Sequence, residues 1–402
     1  MATEAPDILS PAFNEDPYPI LESLREDHPL YFHEAMNSYL ITRYDDVSSA
    51  FKDPVFTTLN YEWQLEPVHG PTLLSMEGRN HSRYRNLVAP EFRGRVLEDN
   101  FLPVIERNSA ELLDTWRRDG QVDFVRQYTT WFPIKVIVDM LGLPASDHAL
   151  FHRWYTTINI YLANLAGDPE INAAGEQVRE DLEAYMLPVI ADRRANPRDD
   201  LLTKLVHAQV DGERLGDIEI KSFVSLLLTA GGETTDRSLT NMFWRLIENP
   251  DQMEAVRADR GLIRNAFAET LRHTPPVLMI MRQPSVDVEV TGGTIPAGST
   301  VTCLLAGANR DPRAFADADR FDIFRDDLDV ERAFTSGANH LTFALGRHFC
   351  VGALLALTEV VTGANQVLDA CEDLAFANGP PTPEGVFTRS PLHMDLTFTP
   401  TE

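Results

Sequence analysis

The chain has 402 residues, with 35 Lys plus Arg against 61 Asp plus Glu and a formal net charge of -26. This acidic balance repels phosphate backbones and anionic lipid, so we expect no binding to nucleic acid or to a membrane surface. Hydrophobic residues make up 44% and charged residues 24% of the chain, close to the globular average, which predicts a large buried core.

The cysteines and the N-terminus indicate a reducing compartment. Cys303, Cys350 and Cys371 are odd in number and widely spaced, which fits neither a disulfide framework nor a zinc CxxC pattern. Residues 1–19 are acidic and proline-rich, whereas a signal peptide begins with a basic segment and continues with an apolar run. Apolar stretches such as 223–230 are far shorter than the ~20 residues of a membrane span. We therefore expect a soluble, cytoplasmic, monomeric protein.

In chain order, the sequence predicts a strand at 38–42, several long helices, a group of short strands at 286–303 and a tail strand at 395–398 that could pair with that group. The helices are predicted by apolar residues at spacings of three and four, namely Val104, Ile105, Leu112 and Leu113, then Val136, Ile137, Met140 and Leu141, then Leu182, Met186 and Ile190. No repeat or flexible linker interrupts the chain. We predict one domain, 1–402, of a mainly α (α+β) class.

Cys350 precedes an amphipathic helix predicted by the apolar positions Leu354, Leu357, Val361, Ala364 and Leu368. A helix N-terminus favours a thiolate, which suits either a nucleophile or a soft metal ligand. The neighbouring glycines, Gly346 and Gly352, permit close approach of another group. Taken alone, a cysteine in such a place is more often a small buried hydrophobe, so the surrounding pattern has to decide.

The pattern Phe-x-x-Gly-x-x-x-Cys-x-Gly, from Phe343 to Gly352, resembles the haem-binding signature of the cytochrome P450 superfamily, in particular its soluble bacterial members. The resemblance implies the cytochrome P450 fold, a helix-rich body with small β-sheets around a buried haem b. It also implies that Cys350 is the iron ligand and a catalytic residue, and that Phe343 and Gly346 lie against the haem.

Two further motifs occur in the family's order. Glu269 and Arg272 resemble the family's Glu-x-x-Arg pair, whose spacing puts both charges on one helical face, and Arg320 resembles the third member of that structural network. The segment 230–235 resembles the acid-alcohol motif of the long central helix. There the small residues Ala230 and Gly231 would leave room above the ring. The resemblance implies that Glu233 and Thr234 are catalytic residues, which would deliver protons to oxygen.

Two buried propionates require cationic, hydrogen-bonding partners. Two of the expected partners, His81 and Arg85, resemble the His-x-x-x-Arg of the helix that meets the haem. Arg282 and His348 occupy the positions where the family places further partners. Each residue alone is an ordinary surface charge, and their joint occurrence with Cys350 favours the haem.

The resemblance also assigns a substrate pocket to several segments that would converge over the haem. These are the covering loop 59–74, a lid at 155–165, the walls 226–234 and 277–280, and a turn at 386–387. The proposed contacts are mostly apolar or aromatic, which indicates a hydrophobic ligand. They are Tyr61, Trp63, Leu65, Leu73, Leu227, Val277, Leu278, Met279, Val386 and Phe387.

The partners follow from the resemblance and from what the chain lacks. The resemblance implies a monooxygenase that uses O2. The sequence contains no flavin or nicotinamide fingerprint such as GxGxxG. Two electrons are therefore expected from a ferredoxin and its NAD(P)H-fed reductase. An acidic ferredoxin requires a local cationic patch, and the candidates are Arg83, Arg93, Arg95 and Arg347.

Departures and alternatives remain open at this stage. Ala344 stands where the family has glycine, and Arg347 is bulky for its loop, so the backbone beneath the iron could be rearranged. Epoxidation, demethylation or phenol coupling could replace hydroxylation. A haem-thiolate sensor would need no Glu233–Thr234 pair. A cysteine hydrolase with His348 or His340 as base would leave the remaining motifs unexplained.

Overall fold

The computed structural model describes residues 6–164 and 167–401. Helices dominate this part of the chain. In order they are α1 Pro11–Glu15, α2 Tyr18–Glu26, α3 Tyr44–Lys52, α4 Tyr61–Gln64, α5 Glu66–His69, α6 Gly78–Val88, α7 Gly94–Leu113, α8 Trp131–Met140, α9 His148–Leu162, α10 Pro169–Ala195, α11 Leu201–His207, α12 Asp217–Glu248, α13 Pro250–Ala258, α14 Ile263–His273, α15 Leu305–Ala308 and α16 Ala353–Ala370. The helix-rich class predicted from the sequence is confirmed.

The strands form small sheets at the edges of the helical body. They are β1 Leu30–His33, β2 Ser38–Ile41, β3 Phe56–Thr57, β4 Gln121–Asp123, β5 Ile280–Pro284, β6 Val288–Val290, β7 Gly293–Ile295, β8 Thr300–Cys303, β9 Cys371–Phe376, β10 Pro383–Glu384, β11 Ser390–Pro391 and β12 Asp395–Pro400. The largest sheet has the order β1-β2-β8-β5-β3, and in it β2 and β8 run parallel.

The tail strand does not pair with the 286–303 group, so that part of the prediction is wrong. β12 lies between β4 and β9 in a separate antiparallel sheet. The reason is proximity: β9 begins directly after α16, and the chain returns along it as β12 and shields the same end of the core. The remaining strands form the pairs β6–β7 and β10–β11.

The central element is α12, a helix of 32 residues and so about 48 Å long. Its N-terminus is fixed by Gly216, whose N–H donates to Oε2 of Glu219 at 2.7 Å. It packs against α8, α9, α10, α14 and α16, so most of its side chains are buried. Since α16 begins three residues after Cys350, this packing places the cysteine loop next to the middle of α12.

The segment predicted as part of a lid, 155–165, coincides with the second half of α9. Leu165, at its end, lies outside the described residues.

No helix in residues 6–164 and 167–401 combines the length and the apolarity that a membrane crossing requires. The prediction of one domain spanning 1–402 stays a prediction.

Candidate active site around Cys350

The cysteine loop is held in shape by its own backbone. The N–H of Cys350 donates to the carbonyl of Phe343 at 2.9 Å, which closes the loop. Gly346 has φ +68°, and a Cβ there would lie 2.6 Å from the carbonyl oxygen of Phe51. Glycine is therefore required at this position both by its conformation and by the close approach of α3.

Ala344 shows how the loop accommodates the departure noted in the sequence. It adopts φ 54°, the left-handed region that costs an alanine roughly 1–2 kcal/mol. The side chain is buried, at 5% exposure. The loop thus keeps a conformation suited to glycine, and the alanine bears the strain.

The sulfur of Cys350 lies at the N-terminal end of α16, close to the N–H groups of Gly352 and Ala353. Burial raises the pKa of the thiol, and these two donors, with the charge of Arg85, act in the opposite direction. The net direction is upward, so helix position alone does not produce a thiolate, contrary to the sequence argument. A bound metal cation would supply the missing stabilisation, because a coordinating thiol is deprotonated outright.

Two histidines meet beside this loop with polar atoms that have no protein partner. The rings of His81, on α6, and His348 have centroids 4.2 Å apart. Within the described residues, Nε2 of His81 and both ring nitrogens of His348 are buried without a hydrogen bond. Burial lowers the pKa of His81 to about 4, and the charges of His348 and Arg85 add to this. Such a pair needs an acceptor that the polypeptide does not supply.

Two arginines complete this cationic group. Arg85 is half-buried one turn after His81, and no described residue makes a hydrogen bond to its guanidinium. Arg282, on β5, is 3% exposed, donates to its own strand carbonyl at Met281 and lies over the Phe51 ring at 4.8 Å. Buried cations without carboxylate partners are costly unless an anion joins them. The two propionates of a haem fit this need.

Glu77 shows why Arg347 does not crowd the loop. Arg347 leaves the loop and pairs with Glu77 at 3.0 Å, while Nε2 of His348 lies 3.4 Å from the same carboxylate. The N–H of Thr58 also donates to Glu77, at 2.7 Å. Burial raises the pKa of Glu77, but the adjacent His348 imidazole, the hydrogen bond from Thr58 and the charge of Arg347 outweigh burial and hold the pKa at about 2. Sequence reasoning missed this anchor.

The opposite wall is the middle of α12, where the burial pattern is interrupted. Ala230 is exposed and Gly231 and Thr234 are half-buried, although the residues on the other side of this helix segment are buried. The Thr234 hydroxyl donates to the Ala230 carbonyl at 2.7 Å. An accessible stretch in the middle of an otherwise buried helix indicates an open space beside it, which the small side chains of Ala230 and Gly231 do not fill.

Glu233, the predicted acid, lies on this same face. Its Oε1 accepts hydrogen bonds from Nε and Nη2 of Arg237, at 2.9 and 2.7 Å, and from the Thr388 hydroxyl at 2.7 Å. The predicted proton-relay pair is thus present on one face of one helix. Its two partners were not found from the sequence, because i,i+4 pairs are common on helix surfaces and Thr388 is distant in the chain.

The Glu-x-x-Arg pair is completely buried beneath the cysteine loop. Arg272 donates twice to Glu269, each time at 2.7 Å, and both side chains have 0% exposure. Arg272 also donates to the carbonyls of Asn309 and Ala318. Asn309 in turn binds Leu341 and Thr342, which lead into the loop. The network therefore supports the loop structurally.

The third charged member is Arg325, and the prediction of Arg320 is wrong. The guanidinium of Arg325 lies 3.2 Å from Glu269 and its side chain is 6% exposed. The Arg320 side chain is 68% exposed and pairs with Asp322 at 3.6 Å. Arg320 contributes only its backbone carbonyl, which accepts from Arg272. The two arginines lie five residues apart, and only burial distinguishes them.

The predicted substrate residues divide into three groups by burial. Leu73, Leu227, Leu278 and Met279 are buried, whereas Tyr61, Leu65, Val277, Val386 and Phe387 are half-buried. Trp63 is 60% exposed, the most exposed of the ten. Leu278 and Met279 pack in a core cluster that Val386 and Phe387 adjoin, so these four residues lie together.

The cationic patch proposed for electron transfer is smaller than expected. Arg83 is occupied, because it pairs with Glu219 and donates to the carbonyl of Arg214. Arg347 is held by Glu77 as described above. Arg93 and Arg95 remain exposed at the start of α7. Burial lowers the pKa of Arg85, and the charge of Arg93 lowers it further. Arg93 is therefore near Arg85, on the same side of the molecule as Cys350.

The hydrolase alternative lacks its geometry. Among the described residues, neither His348 nor His340 hydrogen-bonds to Cys350. His340 is buried and bound to the carbonyl of Ala333 at 2.8 Å, and burial lowers its pKa to about 4. A cysteine nucleophile needs a base within hydrogen-bond reach. No group of three or more potential metal ligands occurs in the described ranges.

Comparison with known proteins agrees with this site. A family model described as Cytochrome P450 matches residues 146–393. Pulcherriminic acid synthase of Bacillus subtilis (strain 168) is 38% identical over 399 residues, which cover 97% of each chain. Cytochrome P450 monooxygenase PikC of Streptomyces venezuelae is 33% identical over 387 residues, 92% of this chain and 88% of that protein. The structure of cytochrome P450 CYP109Q5 from Chondromyces apiculatus superposes with a TM-score of 0.88 at 31% identity and covers 98% of each chain.

The chain therefore belongs to the cytochrome P450 family. It is an enzyme of the monooxygenase class, and haem iron is the cofactor of that family. The residues around Cys350 fit such a group, since the sulfur lies near Arg85 and the buried imidazoles of His81 and His348 have ring nitrogens without a hydrogen-bond partner.

Proposed function

We propose that the protein is a haem b-thiolate monooxygenase that oxidises a hydrophobic small molecule, such as a secondary metabolite, a terpenoid or steroid, or a fatty acid. The observation that carries the proposal is the position of Cys350, in a loop closed by the hydrogen bond from its N–H to Phe343 and directly before the N-terminus of α16. Bound haem supplies the activation of O2 with two electrons that arrive one at a time.

The chain's own residues hold the cofactor and handle protons. Cys350 would ligate the iron, and His81, Arg85, Arg282 and His348 would bind the propionates. Ala230 and Gly231 would leave space for oxygen and substrate. Thr234 and Glu233 deliver protons to the oxygen site, because both lie on the open face of α12 and one carries a hydroxyl and the other a carboxyl group.

Hydroxylation is the outcome we favour, and epoxidation, demethylation or phenol coupling are the alternatives within the same chemistry. The half-buried Val277, Val386 and Phe387 support an apolar substrate that is held by burial of area. A non-enzymatic haem-thiolate sensor has no use for Glu233 and Thr234, so their presence together on the open face favours the enzyme.

Electrons are proposed to come from a ferredoxin and its reductase through Arg93 and Arg95. Both are exposed on the cysteine side, where an acidic partner would approach the haem. The local positive charge is needed because the chain as a whole carries a net charge of -26.

The absorption spectrum of the reduced, carbon monoxide-treated protein tests the cofactor assignment. We expect a long-wavelength Soret band in the wild type and its loss in Cys350→Ser. Cys371→Ser is the matched control, because Cys371 is buried at the far end of α16 and should leave the band in place. A band typical of histidine ligation, or a protein that cannot be loaded with haem, would refute the proposal.

Charge reversal tests the docking surface. The double variant Arg93→Glu/Arg95→Glu should slow ferredoxin-supported reduction and weaken its salt dependence, since exposed charges act by screened attraction. Arg153→Glu, an equally exposed arginine on α9, is the control. Unchanged reduction kinetics in the double variant would exclude this surface.

A further inference from the structure

Two segments of the proposed pocket wall are joined to each other by their backbones. Val277 and Thr388 form an antiparallel bridge. The N–H of Leu278 donates to the carbonyl of Phe387 at 2.8 Å, and the N–H of Arg389 donates to that of Pro276 at 2.9 Å. A displacement of one segment is therefore transmitted to the other.

This joined wall also holds the acid on α12. Thr388 and Arg237 bind the same oxygen of Glu233, Oε1, through three hydrogen bonds of 2.7 to 2.9 Å. Arg237 is itself fixed to the wall, because its Nη1 donates to the Ser390 hydroxyl at 3.0 Å. Within residues 6–164 and 167–401, Oε2 of Glu233 has no hydrogen-bond partner. One carboxylate oxygen is anchored, and the other is left for a further partner.

The neighbouring ionisable groups do not take up the two residues that bind Glu233. Asp236, the next acid on α12, is occupied by the hydroxyls of Thr129 and Thr130, at 2.6 and 3.2 Å. Tyr155, on α9, is buried and lies within electrostatic range of Glu233, and burial raises its pKa. Arg237 and Thr388 are thus the groups that decide how the Glu233 carboxyl is oriented.

We propose that Arg237 and Thr388 are positioning residues that orient the acid Glu233 from the substrate-facing wall. The inference rests on the proposed function, in which Glu233 handles protons. Because Thr388 adjoins Phe387, a ligand that presses on the wall would shift one of the donors to Oε1. Loss of that hydrogen bond leaves Arg237 as the remaining donor to Oε1, so the orientation of the carboxyl changes.

The stretching frequency of carbon monoxide bound to the reduced haem protein tests this orientation. This infrared band responds to the electric field of nearby charges, which varies with distance and direction. In Thr388→Val, which keeps the shape but removes the hydroxyl, we expect the band to shift or split. Thr388→Ser keeps a hydroxyl donor, so its band should lie at the wild-type position. Thr388→Ala is used in place of Thr388→Val if the valine variant fails to fold.

The same measurement in a Glu233→Gln background shows whether the effect passes through the acid. There, Thr388→Val should leave the band unchanged. An unchanged band in Thr388→Val with Glu233 intact, or an equal shift in both backgrounds, would overturn the inference. Failure of the proposed function looks different, since the long-wavelength Soret band would then be missing from the wild type.

Discussion

The side of the molecule below the cysteine loop and the side above it are built differently. Below, Glu269 and Arg272 are buried in a network with several donors and acceptors, and the loop is closed by the bond between Cys350 and Phe343. Above, the open face of α12 carries Ala230 and half-buried Thr234, with apolar segments around it. The lower side fixes one geometry, whereas the upper side leaves room for a ligand.

We expect the largest effect from a substitution that breaks the Glu269–Arg272 network below the cysteine loop. Arg272→Leu leaves Glu269 as a buried, partly uncompensated carboxylate, which costs about 3–5 kcal/mol of unfolding free energy. Arg320→Leu is the matched control, because that side chain is 68% exposed and should change stability by less than about 0.5 kcal/mol. Urea unfolding measures both. Equal destabilisation by the two substitutions would contradict the assignment of Arg325 as the third member.

That pair of variants also shows what the sequence could and could not predict. The sequence predicts the side below the cysteine loop from two patterns: the spacing of Glu269 and Arg272, and the order of residues around Cys350. These patterns are readable because the chemistry of that side requires particular residue types. The choice between Arg320 and Arg325 depends on which guanidinium is buried, which local sequence does not encode. The roles of Thr388 and Glu77 depend on contacts between segments far apart in the chain.

The pH dependence of stability at Glu359 tests the contact between α16 and α12, where the two sides meet. This acid of α16 is buried and accepts from Thr235 of α12, and burial raises its pKa to about 8 against a usual 4.5. Its stabilising contribution is therefore complete below pH 4.5 and is lost as the pH rises through about 8. Glu359→Gln should be more stable than the wild type at pH 8, on the order of 3 kcal/mol, with the difference vanishing towards pH 4.5.

Thermal unfolding across this range, with circular dichroism as the signal, provides the check. Glu372→Gln, at an exposed position on β9, is the control and should show no such trend. A pH-independent difference between Glu359→Gln and the wild type would mean that the acid is not held neutral by burial.

A change on the open face should affect binding more than stability. Ala230→Val adds two methyl groups to a position that faces the hollow, so we expect a loss of only about 0.5 kcal/mol from helix propensity. Binding of the haem-ligating probe 4-phenylimidazole should weaken by roughly 10-fold, equivalent to about 1.4 kcal/mol of lost contact. Spectral titration and urea unfolding separate the two effects.

Gly232→Ala is the contrasting substitution on the back of the same helix. Its Cβ would lie 2.7 Å from Cδ1 of Ile134, so it should destabilise the fold and leave the probe affinity nearly unchanged. If Ala230→Val destabilised the protein as much as Gly232→Ala, Ala230 would not face an open space.

The smallest expected effect is that of Ala344→Gly in the cysteine loop. Ala344→Gly relieves the left-handed conformation at φ 54° but increases the freedom of the unfolded chain, so we expect a net gain of at most about 1 kcal/mol. Gly346→Ala makes the opposite change and should destabilise strongly, because a Cβ there meets the Phe51 carbonyl at 2.6 Å. Urea midpoints of the two variants measure both signs. A destabilised Ala344→Gly would mean that the buried methyl group contributes more by packing than the backbone loses by strain, and the loop would then be adapted to alanine.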